Sequence, residues 1–121
     1  MEVHENPLAH LSEEEILGLM GTQIVSNQTE WLEDDDDVSR LPDKFDWRDK
    51  VKGTHLEECI HPIRNQANCG SCWAFGASEA FSDRYCLATD GEVTSVLSVQ
   101  DMVSCSVLNK GCNGGTMGAA W

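Results

Sequence analysis

Residues 73–85 read Trp-Ala-Phe-Gly-Ala-Ser-Glu-Ala-Phe-Ser-Asp-Arg-Tyr, the one long segment in which apolar side chains recur at helical spacing. Trp73, Ala77, Ala80, Phe81 and Tyr85 fall near one face, so this segment is predicted to be a helix around which any core must be assembled. At 121 residues the chain is long enough for one such core and poor for two. A shorter helix is predicted from Ser98, with Asp101 at its third position as a capping-box variant and Met102 and Val103 turned inward. Residues 93–97 are a short extended candidate, and Gly111-Cys112-Asn113-Gly114-Gly115 reads as a loop.

Charge divides the chain. Residues 1–40 hold eleven Asp and Glu against one base, Arg40, whereas residues 41–121 hold ten acids against seven bases. The step falls near Glu33-Asp34-Asp35-Asp36-Asp37, a run that repels itself and favours extended, solvated chain, so a flexible junction is expected at about 33–42. Within the acidic third, Leu11-Ser12-Glu13-Glu14-Glu15-Ile16 reads as a helix start. Ser12 can cap, Glu15 stands at the capping-box position, and Leu11 can staple to Ile16. Gly18 interrupts the turn and Gly21 can end it, leaving roughly two turns that need a surface to dock on. Asn27-Gln28-Thr29 is a glycosylation sequon.

Whole function classes fall away on composition. Eight Lys and Arg against 21 Asp and Glu cannot supply the basic footprint that phosphate neutralisation demands, so nucleic acid is not an expected partner. No run of about 18 apolar residues exists to span a bilayer. Met1-Glu2-Val3-His4-Glu5-Asn6 lacks the basic and apolar regions of a secretory signal, so a targeting segment, if the protein has one, lies outside this sequence. Six Cys is heavy usage for a reduced compartment. All six can in principle be paired, but Cys72 stands immediately ahead of the Trp73 helix. There, unsatisfied backbone N–H groups and the positive dipole end favour thiolate over thiol. Ahead of it, Gln66-Ala67-Asn68-Cys69-Gly70-Ser71 supplies an amide donor and a glycine that allows close backbone approach, the ingredients of an oxyanion site beside the sulfur.

Cys69-Gly70-Ser71-Cys72-Trp73 resembles the local signature of the papain-like cysteine peptidases. Further resemblances follow in one order: Leu41-Pro42-Asp43-Lys44-Phe45-Asp46-Trp47-Arg48, Ile63-Arg64-Asn65-Gln66, Leu97-Ser98-Val99-Gln100-Asp101 and Cys112-Asn113-Gly114-Gly115. Cys59, Phe75-Gly76-Ala77-Ser78-Glu79-Ala80 and Ser82-Asp83-Arg84-Tyr85-Cys86 are similar to the cathepsin B branch. Residues 11–22, ending Leu19-Met20-Gly21-Thr22, resemble the end of its propeptide.

The resemblance implies an α+β, two-domain papain-like fold, of which this chain covers mainly the N-terminal helical half with the central nucleophile helix. Residues 1–40 would be the C-terminal part of a propeptide with its acidic linker, cut near Arg40-Leu41, and residues 41–121 the N-terminal part of the catalytic domain. Cys72 would attack the scissile carbonyl and form an acyl-enzyme that water hydrolyses. Gln66 and the Cys72 backbone N–H would form the oxyanion hole, and Gly70, Gly114 and Gly115 would line the cleft and pair with extended substrate. Disulfides would join Cys59 to Cys86 and Cys69 to Cys112, leaving Cys105 to a partner outside the chain. The second bridge would stabilise by roughly 4 kcal/mol through loop closure. No cofactor and no metal are implied. The implied partners are protein or peptide substrates, the chain's own propeptide and cystatin-type inhibitors, in a lysosomal, vacuolar or secreted setting.

Such a peptidase needs an imidazole and an Asn to orient it, about 130–150 residues after the Cys. Only 49 residues follow Cys72, and His4, His10, His55 and His61 all precede it. Asn109 and Asn113 come too early for the orienting role. The chain is therefore expected to be the first part of a longer proenzyme and to be inactive alone. Two alternatives of other classes stand beside this: a short decoy or inhibitor without catalysis, and a zinc module built from Cys69, Cys72, Cys105 and Cys112. A redox role for Cys69-Gly70-Ser71-Cys72 lacks its βαβ context. Thr116-Met117 depart from the branch pattern after the double glycine, which leaves side-chain preference open; Trp47 and His55 also replace residues usual in that branch, with no functional account.

Overall fold

The computed structural model describes residues 9–23 and 41–121. The sequon at Asn27, the acidic run at 33–37 and Arg40 lie outside the described residues. Among the described residues the elements are α1 (Glu13–Leu19), α2 (Trp47–Val51), a 3₁₀ turn (Glu57–Cys59), α3 (Cys72–Ala88), α4 (Val99–Cys105) and α5 (Met117–Ala120). Extended pairing among them is limited to two isolated parallel bridges, Thr22 with Gly115 and Gly70 with Asn113. This helix-rich arrangement, with little strand, is consistent with the helical half that the sequence resemblance implies. The described residues divide into two compact units, one of residues 9–23, 64–78 and 98–121, the other of residues 41–63 and 79–97.

In the first unit, α1 starts where the acidic capping box predicts. Glu15 N–H donates to Ser12 Oγ at 3.3 Å, and the Ser12 N–H and hydroxyl both donate to Glu15 Oε2 at 2.7 Å. Those two bonds, backbone first, hold the Glu15 carboxyl below the ordinary carboxylate range. Gly18 does not interrupt the helix, which runs to Leu19. Leu17 and Met20 remain exposed, so α1 has no core of its own. The core of this unit is Trp73, Ala74 and Val99, with Phe75, Met102, Val103, Met117 and Ala120 packed against them. The buried indole N–H is satisfied, Trp73 Nε1 donating to Gly111 O at 3.1 Å. Side-chain caps open the two later helices: Ser98 Oγ accepts from Asp101 N–H at 3.1 Å, and Thr116 Oγ1 from Ala119 N–H at 3.3 Å.

The second unit is held by the Cys59–Cys86 disulfide, with both half-cystines and Val51 buried. Asp46 caps α2 and grips Arg48, accepting its backbone N–H at 2.9 Å and its guanidinium at 3.0 and 2.7 Å. The C-terminus of α3 closes in a Schellman motif, Asp90 N–H to Leu87 O at 3.2 Å and Gly91 N–H to Cys86 O at 2.9 Å, with Asp90 left-handed at φ 53°.

Two sequence expectations are corrected here. The buried face of α3 is not the Phe81–Tyr85 side: those rings are exposed and stack on each other with centroids 5.8 Å apart. Ser82 and Cys86 point inward in the second unit, as Ala74 and Ser78 do in the first. The disulfide turns Cys86 in, and the position one turn earlier follows it. Burying serine is tolerable because each hydroxyl has a partner: Ser78 Oγ donates to Ala74 O, and Ser82 Oγ accepts from Leu97 N–H at 3.0 Å. Residues 93–97 form no strand, since no other described segment offers them a ladder; their end is tied by that side-chain bond instead.

Candidate active site

Cys72 is the first residue of α3, so its backbone N–H is among those an α-helix leaves without an intrahelical partner. The approach to it is rigid. Cys69 is joined to Cys112, and Gly70 N–H donates to Cys112 O at 3.0 Å within the Gly70–Asn113 bridge. Gly70 is buried so tightly that a Cβ there would lie 2.5 Å from Cys112 O. Ser71, also buried, accepts on its carbonyl from Ala74 N–H at 2.9 Å and Phe75 N–H at 3.1 Å and starts the helix. The Cys72 thiol is half-buried and not in a disulfide.

Gln66 reaches the same place through a turn. Asn65 Oδ1 accepts from Ala67 N–H at 2.8 Å, an Asx turn that holds Ala67 left-handed at φ 51°. This conformation is uphill for an L-residue with a Cβ, by about 1–2 kcal/mol. It sends the Gln66 side chain back so that Nε2 donates to Cys69 O at 2.9 Å, and a second N–H of the same amide donates to Leu19 O at 2.8 Å. Asn65 was not singled out by sequence reasoning, although an Asn two positions before a needed turn is the available signal.

The segment after α1 lies along this surface. Thr22 Oγ1 is 3.1 Å from Cys72 Sγ. Gly115 N–H donates to Gly21 O at 2.8 Å and Gln23 N–H to Gly115 O at 2.7 Å, so the glycine wall pairs main chain to main chain with residues 21–23. Gly21 is buried against Gly70, and a Cβ on it would overlap the Gly70 backbone. Gly114 is left-handed at φ 105°, and its would-be Cβ meets Gly21 O at 2.7 Å, so the wall also requires glycine. Gly70, Gly114, Gly115, Gln66 and Cys72, singled out separately in the sequence, therefore surround one stretch of chain.

Acyl transfer needs one carbonyl whose carbon faces the sulfur while its oxygen sits on the oxyanion donor. Here the carbonyl on Gln66 is that of Leu19, whereas the group at the sulfur is the hydroxyl of Thr22, three residues on. Neither Thr22 as the contact to sulfur nor Gly21 as the close-packed residue had a signal in the sequence beyond the resemblance of residues 11–22.

The remaining candidates are placed elsewhere. In the second unit His55 Nε2 pairs with Asp90 Oδ1 at 3.1 Å, and His61 Nδ1 with Asp83 Oδ1 at 2.6 Å. Asn113 N–H closes the glycine loop on Lys110 O at 3.0 Å. Cys105 is an exposed free thiol, its Sγ 3.7 Å from Asp101 Oδ1. The four-thiol zinc alternative is overturned, because Cys69 and Cys112 are spent on each other and cannot ligate as thiolates. The same bridge removes Cys69 as a redox partner for Cys72. Among the described residues no helix is long and apolar enough to cross a membrane.

Residues 41–121 match the model of the papain family cysteine protease domain. The chain is similar to Cathepsin B-like cysteine proteinase 6 of Caenorhabditis elegans, 49% identical over 82 residues that make up 67% of this chain and 21% of that protein. It is 42% identical over 109 residues to Cathepsin B-like cysteine proteinase 4 of the same organism, covering 85% of this chain and 31% of the relative. The chain thus spans between about a fifth and a third of the length of the curated relatives it matches.

Proposed function

Because the chain belongs to the papain family of cysteine proteases, we propose that it is the nucleophile-bearing part of a cathepsin-B-like proenzyme, with its cleft occupied by its own propeptide. The observation that carries this reading is the path of residues 19–23. They meet Gln66 Nε2 through Leu19 O, the sulfur through Thr22 Oγ1 and the glycine wall through Gly21 and Gln23. Residues 1–40 act as propeptide and residues 41–121 as catalytic domain.

On this reading removal of the propeptide opens the cleft to extended peptide. The substrate main chain pairs with Gly115 as residues 21–23 do, and its scissile carbonyl lies over Cys72. The thiolate adds to that carbonyl carbon, and the oxygen, now carrying the negative charge, is held by Gln66 Nε2 and the Cys72 backbone N–H. Collapse expels the amine, which takes up a proton, and leaves a thioester that water hydrolyses to free acid and thiol. An imidazole must receive the thiol proton and return it to the amine. His55 and His61 are engaged by Asp90 and Asp83, and on this reading the imidazole and its orienting Asn are supplied by sequence other than residues 1–121. The disulfides suit a lysosomal or secreted setting.

The test is direct. In the polypeptide of native length, Cys72→Ser abolishes hydrolysis of a dipeptidyl fluorogenic substrate, and the 121-residue chain alone shows no turnover. Retained hydrolysis by Cys72→Ser refutes the assignment of the nucleophile.

A further inference from the structure

Asn109, set aside above as an orienting residue for an imidazole, has a different task in the structure. Its amide spans the glycine loop. Nδ2 donates to Ser106 Oγ at 2.9 Å at the end of α4, and Oδ1 accepts from Thr116 N–H at 2.9 Å at the start of α5. The same oxygen closes against Gly115: a Cβ on that glycine would lie 2.5 Å from Asn109 Oδ1 and 2.7 Å from Trp73 Cδ2. Gly115 is thus pressed between a buried indole and a hydrogen-bonded amide, with the next peptide N–H fixed by that amide. Gly114 on its other side is left-handed and held through its carbonyl by Lys110 N–H at 2.9 Å. The plane of the Gly115 peptide groups, and with it the direction of the N–H and C=O that grip residues 21–23, is set by these contacts.

From this we propose that Asn109 is a positioning residue for main-chain recognition: it aims Gly115 at the backbone of whatever extended chain lies in the cleft, propeptide or substrate. It touches neither the sulfur nor the reacting carbonyl. Its effect falls on binding that ground state and transition state share, and so on KM rather than kcat. The substrate half of this inference rests on the reading in the previous subsection; the hold of Gly115 on residues 21–23 does not.

The experiment has two arms on the polypeptide of native length. In the uncleaved form, the rate of iodoacetamide labelling at Cys72, read by peptide mapping so that Cys105 is scored separately, reports how firmly residues 19–23 cover the sulfur. Asn109→Ala is expected to raise that rate about tenfold, the order expected when the two main-chain bonds through Gly115 are weakened. Asn109→Asp, which keeps an acceptor for Thr116 N–H and can accept from Ser106 Oγ, is expected to stay close to the parent. In the matured enzyme, Asn109→Ala is expected to raise KM about tenfold with kcat nearly unchanged, and Asn109→Asp to restore KM. Unchanged labelling in Asn109→Ala overturns the proposal, whether or not the protein proves to be a peptidase. So does a fall in kcat at constant KM. A variant that merely loses folded protein is recognised by a reduced titratable thiol fraction with unaltered KM in the remainder, and that result also counts against positioning.

Discussion

Gly21→Ala is the sharpest perturbation the structure offers. The added methyl would overlap the Gly70 backbone, with Gly70 Cα only 2.9 Å from it. Gly70 cannot retreat, because it is bridged to Asn113, flanked by the Cys69–Cys112 disulfide and backed by Cys112 O. The segment must leave instead. Leaving forfeits four contacts: Gln66 Nε2 to Leu19 O, Gly115 N–H to Gly21 O, Gln23 N–H to Gly115 O, and Thr22 Oγ1 with Cys72 Sγ. At a net value of about 0.5–1.5 kcal/mol each, the loss is roughly 2–6 kcal/mol, or about 30- to 10⁴-fold in occupancy of the cleft. Labelling of Cys72 by iodoacetamide measures that occupancy, and Gly21→Ala is expected to accelerate it by at least about 30-fold, up to the rate of the uncovered thiol. Gly18→Ala is the control. Gly18 lies three residues earlier in the same segment with nothing within 4 Å of its would-be Cβ. Alanine there strengthens α1 by about 1 kcal/mol and is expected to slow labelling or leave it alone. Equal labelling of Gly21→Ala and parent, with both disulfides intact by mapping, would refute the placement of residues 19–23 in the cleft.

Other outcomes follow from the same contacts. Gln66→Ala in the matured enzyme is expected to lower kcat by about 10²–10³-fold through loss of an oxyanion donor, with KM little changed, as measured by steady-state hydrolysis. Replacing Cys69 and Cys112 together by Ala removes a link between residues 43 apart in sequence, for which loop closure alone predicts about 4 kcal/mol of lost stability in urea unfolding. The Arg48 guanidinium, then its backbone N–H, lower the Asp46 carboxyl to about 2. A depressed carboxylate contributes its cap fully above the ordinary Asp range, and that contribution fades as pH falls through about 2. A carboxyl-carbon NMR titration of Asp46 is expected to show that midpoint, and Arg48→Gln to move it upward.

How much of this was legible beforehand differs from residue to residue. The nucleophile helix, its serine-capped successor and the Ser12–Glu15 capping box were readable because each depends on residues within four positions of one another. Cys72, Gln66 and Gly70 carried local signals, a helix start with an amide and a glycine just ahead of it, whereas Gly114 and Gly115 were readable only through resemblance to a family motif, since nothing local tells them from turn glycines. The inward face of α3 was misread because hydrophobicity favoured Phe81 and Tyr85, whereas a disulfide and two satisfied hydroxyls turned the serine side inward.

Local chemistry along the chain determined where helices begin, where backbone must bend, and which sulfur stands at the start of the longest helix. Tertiary structure alone decided what lies against that sulfur. A contact between Thr22 and Cys72, fifty positions apart, is encoded in no short window. It exists because Gly21, Gly70 and Gly115 lack side chains where two stretches of backbone must touch, and close packing of backbone on backbone is a property of the folded whole.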